Sequence, residues 1–586
     1  MKIYQKIYLI KSFSNFLINK KKTLETDILN TNLRKVAVHI LKSDFVILLF
    51  VNIVLYILHS LNFIFKNKSN SIFAIIFFPL YNKFQELLIS TILINNSKFH
   101  ENYTCNNLSV KNEYFDYIVL GSGPSGSINS YYLNEKFPGK VLLLEKGKDV
   151  SIFQNKHPQD EFIKKWKNGG FNSTLFPMQI PFASGECFGG GSEINSGLFH
   201  KPSEKFLEKW SSNLNFISPT QNEIDNHFGD IKKILNSDKV FPKSNSYKYF
   251  VKGCENLNIP FEHIPQFFSK LDQDSFGLRK NTMRTTFIKK FLENNGHAQT
   301  GFQAINIKFL KQQNLWKVSG KLYGKNKCFT CKTLFLNCGA LQTSKILIKS
   351  KLYSKDVSFF KFHPMIKMIV EFNDKVQEGF ENVHPFQFTN LEKEFIVGEA
   401  SSGAQFIKMN FFNDPKLFDY VKKKWKNMSI YHCTFSLGNG GIKKIPFLDK
   451  FFYTYNIKQS DISVIKKALL NASKALFSGG AKKIYLVTQK GIDEIVSEDY
   501  KFKISKLKKP RDLKFSSVHV LGGVKSGEKK NCIVDSFGKS LKYKNLYIND
   551  SSLINENLLK NPQGTIMLIA KRNIENFVKK FKNDEL

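Results

Sequence analysis

Three short motifs hold the residue types that could do chemistry. Gly121-Ser-Gly123-Pro-Ser125-Gly126 has the spacing of a dinucleotide-binding turn. Gly121 permits the tight turn, Gly123 lets the backbone approach a pyrophosphate, and Gly126 lets a helix pack closely on a strand. Far along the chain, Ser517-Val-His519-Val-Leu-Gly522-Gly523 offers an imidazole, the side chain whose ordinary pKa of about 6.5 suits proton transfer at neutral pH. Asn561-Pro562 offers an amide at the start of the last helical pattern. Taken singly, the last two read as a histidine at a turn and an N-cap. Their weight comes from standing together, in order, with the glycine motif.

The elements that must position these groups are legible around them. Phe115–Leu120 is a short apolar run ended by glycine, as a buried parallel strand should be. Ser127–Phe137 suits a helix, closed by Pro138-Gly139, and Val141–Leu144 reads as the second strand. Glu145, 19 residues after Gly126, is placed to accept hydrogen bonds from a ribose hydroxyl pair. At the other end, Ile566, Ala570, Ile574, Phe577 and Phe581 form an apolar helical stripe.

Further segments complete a resemblance. Gly185-Glu-Cys-Phe-Gly189-Gly190-Gly-Ser192-Glu-Ile-Asn195 is similar to the flavin-contacting loop of the glucose–methanol–choline (GMC) oxidoreductases. Successive glycines let a backbone lie flat against a planar ring. The His519 segment, Val534-Asp535, Asn545 to Asp550-Ser551-Ser552, and Asn561-Pro562-Gln-Gly-Thr565 resemble that family's C-terminal part. Gly301–Ile307 and Leu334–Ser344 resemble the strands that rejoin its FAD domain, with a backbone group near Ala304 meeting the adenine. The pattern is nearest the branch of cholesterol oxidases, long-chain fatty alcohol oxidases and gluconate-type dehydrogenases. Val524-Lys-Ser-Gly527 and the absence of a proline after Asp550-Ser-Ser depart from it.

The resemblance implies FAD held between these segments. No histidine lies between Gly185 and Asn195, so the expected cofactor is non-covalent FAD. It also implies oxidation of a CH–OH group by hydride transfer to flavin N5, with His519 as base and Asn561 holding the substrate oxygen. The expected partners are a small-molecule alcohol, which abundant Phe and an apolar N-terminal region suggest to be lipophilic or a sterol, and oxygen or a separate electron acceptor. The alternatives are a dehydrogenase serving a quinone or cytochrome, and a non-redox flavin-binding protein or lyase on the same fold. The expected fold is α/β. A Rossmann-like FAD-binding domain is assembled from 111–205, 286–350 and 511–586. An α+β substrate domain with a largely antiparallel sheet comes from 206–285 and 351–510. The region 1–110 is apolar and helical.

Composition adds limits. The formal charge of +38 invites a nucleic-acid partner, but lysine is spread along the whole chain beside abundant Asn, Ile and Phe, which reads as compositional drift with solvated lysines. The eight cysteines are scattered, and Cys328-x-x-Cys331 stands without a second pair, so no zinc site and reduced thiols are expected. Phe45–Phe65 is an uncharged run long enough to cross a bilayer, preceded by Lys20, Lys21, Lys22, Arg34, Lys35 and Lys42. It begins too far in for a cleavable signal. Ile72–Ile94 is a weaker second stretch, interrupted by Pro79, Lys83 and Glu86. A membrane-associated protein with a cytoplasmic catalytic domain, or a cytoplasmic one, is the expectation. The terminal Asn583-Asp-Glu-Leu586 resembles a retrieval signal by coincidence.

Overall fold

Short apolar runs closed by turn residues become the parallel strands of a seven-stranded sheet. The structure, a computed structural model, describes residues 104–584 except 107, 152–163, 171, 237–244, 271–277, 354–355, 379–384, 391, 393, 401, 412–413, 446–449 and 557. The strands are β1 (Tyr114–Leu120), β2 (Val141–Leu144), β3 (His297–Gln299), β4 (Phe302–Leu310), β5 (Leu315–Leu322) and β6 (Lys325–Leu336), in the order β3-β2-β1-β6-β5-β4. Pairings among β3, β2, β1 and β6 are parallel. β5 lies antiparallel to both β4 and β6. The start of β6 pairs with β5, and Leu334–Leu336 at its end pairs parallel with the distant strand Leu546–Ile548. Ile118, Val119 and Val141 to Leu143 are fully buried, as strands covered on both faces must be. Helix α1 (Pro124–Lys136) makes the crossover from β1 to β2, and α2 (Ala340–Lys349) follows β6.

The second sheet is antiparallel throughout. Its strands are β7 (Met365–Glu371), β8 (Phe386–Thr389), β9 (Phe395–Glu399), β10 (Met428–Phe435), β11 (Lys483–Val487) and β12 (Ile492–Ile495), in the order β12-β11-β7-β10-β9-β8, with Glu262–His263 beyond β8. Successive side chains of a strand face opposite sides. Ile366, Met368 and Val370 therefore enter a core with Ala468, Ala472 and Leu476 of α3 (Ile462–Gly479). Ile369 enters a second core with Ile407, Phe411 and Val421. β7 is thus covered on both faces.

Helix α4 (Gln563–Asp584) packs along α1 and carries the expected stripe, with Ala570 and Ile574 fully buried. The N-terminal stretches Phe45–Phe65 and Ile72–Ile94 lie outside the described residues. Among the described residues no helix is long and apolar enough to cross a membrane.

Candidate functional site

The glycine turn forms one wall of a cavity of about 480 Å³. Gly121 has φ +98°, and a Cβ there would lie 2.4 Å from the Asn337 carbonyl oxygen. A Cβ on Gly126 would lie 1.8 Å from the Gly121 oxygen, which is the close helix–strand packing its position requires. Gly123 and Gly191 are different. Both line the cavity, and no protein atom lies within 4 Å of where their Cβ would be. That open cradle sits at the N-terminus of α1, which has no side-chain cap and no acid in its first turn. First-turn N–H groups and the positive dipole end are thus left for an anionic ligand.

The acids of the cavity wall are tied to the backbone around the cradle. Glu145 accepts hydrogen bonds from the Ser122 N–H (2.9 Å), the Ser122 hydroxyl (2.7 Å) and the Gly147 N–H (2.7 Å). Burial raises its pKa, against the pull of those donors. Asp550 accepts from the Gly339 N–H (2.9 Å), the Thr343 hydroxyl (2.5 Å) and the Ser552 N–H (2.8 Å), and burial raises its pKa too. It therefore caps the start of α2 while facing the cavity. Ser551 accepts from the Ala340 N–H at 3.0 Å.

The residues singled out from sequence converge on this space unevenly. Gly121, Gly123, Ser125, Glu145, Gly190, Asn195, Ala304, His519, Asp550, Ser551, Asn561 and Pro562 all line it. Gly126 and Gly189 stand behind the wall, where Gly189 donates its N–H to the Ser122 hydroxyl at 3.0 Å. Ser192 is buried, donating to the Gly189 carbonyl (2.8 Å) and accepting from the Met283 N–H (3.1 Å). Thr565 is fully buried in the first turn of α4.

His519 owes its position to strand pairing. Phe362 pairs antiparallel with Val520, so the next residues, His363 and His519, come opposite each other. Their Nδ1 atoms lie 3.1 Å apart, with the rings near perpendicular at 85°. One Nδ1 must donate and the other accept. Burial holds the His363 pKa down to about 4, against a smaller upward pull from the Leu558 backbone, and His363 Nε2 is buried without a hydrogen-bond partner among the described residues. The arrangement with His363 Nδ1 as the acceptor is the one that frees His519 for proton transfer. His519 then donates through Nδ1 and keeps a lone pair on Nε2, which has no hydrogen bond to a described residue. Burial, and then His363, His432 and His200, hold the His519 pKa well below 6.5, so the ring is neutral at neutral pH. The Asn561 side chain makes no hydrogen bond to a described residue, so it is not spent as an N-cap.

Three further histidines surround His519. His363 touches it, His432 lines the cavity, and His200 lies near enough to depress its pKa. The pattern His363-Pro364 is the one local signal for any of them. Lys167 and Lys367 also line the cavity, and burial lowers the pKa of each. Among the described residues no group of His, Cys, Asp and Glu could hold a metal ion.

Two family models, both described as GMC oxidoreductase, match residues 115–365 and 451–570. Among curated proteins, the chain is 21% identical over 484 residues to the uncharacterized GMC-type oxidoreductase y4nJ of Sinorhizobium fredii, covering 78% of this chain and 93% of that one. It is 22% identical over 294 residues to patulin synthase of Penicillium expansum, covering 41% and 46%. Solved structures with the same fold include pyridoxine 4-oxidase from Mesorbium loti, with a TM-score of 0.57, 12% identity, and coverage of 79% of this chain and 99% of that one. A variant formate oxidase from Aspergillus oryzae has a TM-score of 0.59, 12% identity, and coverage of 81% and 100%.

Proposed function

Because the chain belongs to the GMC oxidoreductase family, an FAD-dependent family of oxidoreductases, we propose that it oxidises the CH–OH group of an alcohol. One observation carries the reading. A neutral imidazole and an amide, whose Nε2 and side chain respectively make no hydrogen bond to a described residue, share one cavity with an open glycine cradle. Bound FAD supplies the two-electron acceptor for the hydride that leaves carbon. His519 Nε2 accepts the hydroxyl proton, and His363 holds the tautomer that makes this possible. The Asn561 amide holds the substrate oxygen and orients the C–H bond.

The cradle supports placing the cofactor. Gly121, Gly123 and Ser125 take the pyrophosphate at the start of α1, with Gly126 packing the helix on the strand behind them, and Glu145 the ribose beside Ala304. Gly190 and Asn195, on the loop that Gly189 and Ser192 brace, and Asp550, Ser551 and Pro562, with Thr565 buried behind them, would hold the flavin part. In this reading 111–205, 286–350 and 511–586 form the cofactor unit, 206–285 and 351–510 form the substrate unit, and FAD is bound without a covalent link. Phe45–Phe65 is proposed as a membrane segment; a full-length protein extracted from membranes by alkaline carbonate alone would refute it.

The direct test is purification in detergent, an absorption spectrum, and anaerobic titration with alcohols of graded chain length. Bleaching of the flavin band by an alcohol is expected. A bound flavin that no alcohol bleaches would overturn the reading in favour of a non-redox role or a lyase. Peroxide yield against dye reduction then identifies the acceptor.

A further inference from the structure

Across the second sheet runs a row of polar residues. Lys367 of β7 is the direct partner of His432 on β10, His432 of Gly398 on β9, and Gly398 of Gln387 on β8. Direct partners share a face, and Lys367 and His432 line the cavity. Gly398 keeps the row open, since a Cβ there would lie 2.9 Å from Gln387 Cγ and 3.4 Å from His432 Nε2. His432 Nδ1 is 2.8 Å from the Thr434 hydroxyl, which leaves Nε2 with no hydrogen bond to a described residue. Around the row, Met365, Ile396 and Phe406 make the wall apolar.

Lys367 has no hydrogen bond and no ion pair with any described residue. The cavity's carboxylates have partners of their own: Glu145 in Ser122 and Gly147, Asp550 in Gly339 and Thr343, Glu186 in Lys146, and Glu399, through Oε1, in Ser246 and Ser429. No described residue offsets the burial that lowers the Lys367 pKa. A desolvated ammonium without a counter-charge is costly, and buried charges are paired or bind ligands. An anion entering the cavity would supply the counter-charge that the described residues do not.

We propose that Lys367, with His432 beside it, binds a carboxylate on the alcohol whose hydroxyl faces His519. The substrate is then a hydroxy acid, with its apolar span against Met365, Ile396 and Phe406. This rests on the alcohol-oxidising reading and narrows it. Another anionic oxygen group, such as a phosphate monoester, has the same charge chemistry, so the experiment separates the two.

The test uses FAD-loaded enzyme and three chain-matched series: ω-hydroxycarboxylates, 1-alkanols and ω-hydroxyalkyl phosphates. Anaerobic flavin reduction should favour the carboxylate by at least about tenfold in kcat/KM over the alkanol. In Lys367→Met that preference should fall to near one through KM, while Lys367→Arg should retain most of it. Separately, decanoate, which has no hydroxyl to oxidise, should raise the melting temperature of the wild-type holoenzyme and not that of Lys367→Met. If Lys367→Met loses FAD, Lys367→Gln serves in its place. Equal kcat/KM for carboxylate and alkanol, or a preference that survives in Lys367→Met, overturns the proposal. A preference for the phosphate series over the carboxylate overturns the carboxylate assignment. If no series bleaches the flavin yet decanoate binding still depends on Lys367, the alcohol reading fails and the anion subsite stands.

Discussion

A base that is kept neutral by its surroundings must also be kept in the right tautomer: burial does most of the first for His519, and His363, 3.1 Å from its Nδ1, is the group that can do the second. His519→Ala should slow flavin reduction by about two to four orders of magnitude, the usual scale for a general base. An unchanged single-turnover rate would remove His519 from the chemistry. His363→Phe deletes the acceptor for Nδ1 and should slow the same step by roughly fivefold to tenfold. It also removes one of the groups that depress the His519 pKa, so the acid limb of the pH–rate profile should move upward. A merely structural His363 would leave that limb in place. The wild-type limb should lie well below pH 6.5. Stability follows the same sign. His363 and His432 are held down to about 4 and His200 to about 3, against an ordinary 6.5, so the unfolded chain binds more protons between those limits. Stability present above pH 6.5 is therefore lost as pH falls toward 4, on the order of 3 kcal/mol for each fully shifted histidine. A melting temperature flat from pH 7 to 4.5 would contradict this.

At the scale of elements, what was legible was what is local. The glycine turn, the two strands beside it, Glu145 and the stripe on α4 each lie within one stretch of chain, and turn sterics or helical period mark them. The groups brought together by pairing were not legible. His363 meets His519 from 156 residues away, and Lys367 is one of 87 Lys and Arg residues in a chain saturated with lysine. A buried asparagine cluster was equally hidden. Asn337, after β6, donates to the Asn549 carbonyl (2.7 Å). Asn129 of α1 donates to Asn337 Oδ1 (3.3 Å). Asn549 donates to Asn129 Oδ1 (2.9 Å), and Asn573 of α4 donates to Asn549 Oδ1 (3.0 Å). No periodicity marks such a cluster, because each amide serves a partner in a different element. Asn549→Leu should leave several buried polar groups without partners, at about 1–3 kcal/mol for each. Urea unfolding should show a lower midpoint with an unchanged slope. A variant as stable as wild type would mean that water replaces these bonds.

For the molecule as a whole, the cavity is walled by residues from Leu120 to Ile566, so a ligand held there would join segments from distant parts of the chain. A ligand bound only by the folded state adds about 2.7 kcal/mol at a hundredfold excess over its dissociation constant. FAD-depleted protein should therefore melt at a lower temperature and regain the difference on adding FAD. Equal melting of the two forms would show that the fold closes without it. The asparagine cluster has one more consequence. Asn129 and Asn549 are 420 positions apart, and β6 gains its last neighbour only when Leu546–Ile548 arrives. A nascent chain emerging from the ribosome must carry its half-built nucleotide cleft through most of translation, with the edge of β6 uncovered. Such late closure exposes apolar surface to chaperones and to aggregation, and it makes any premature stop upstream of that strand a colourless product.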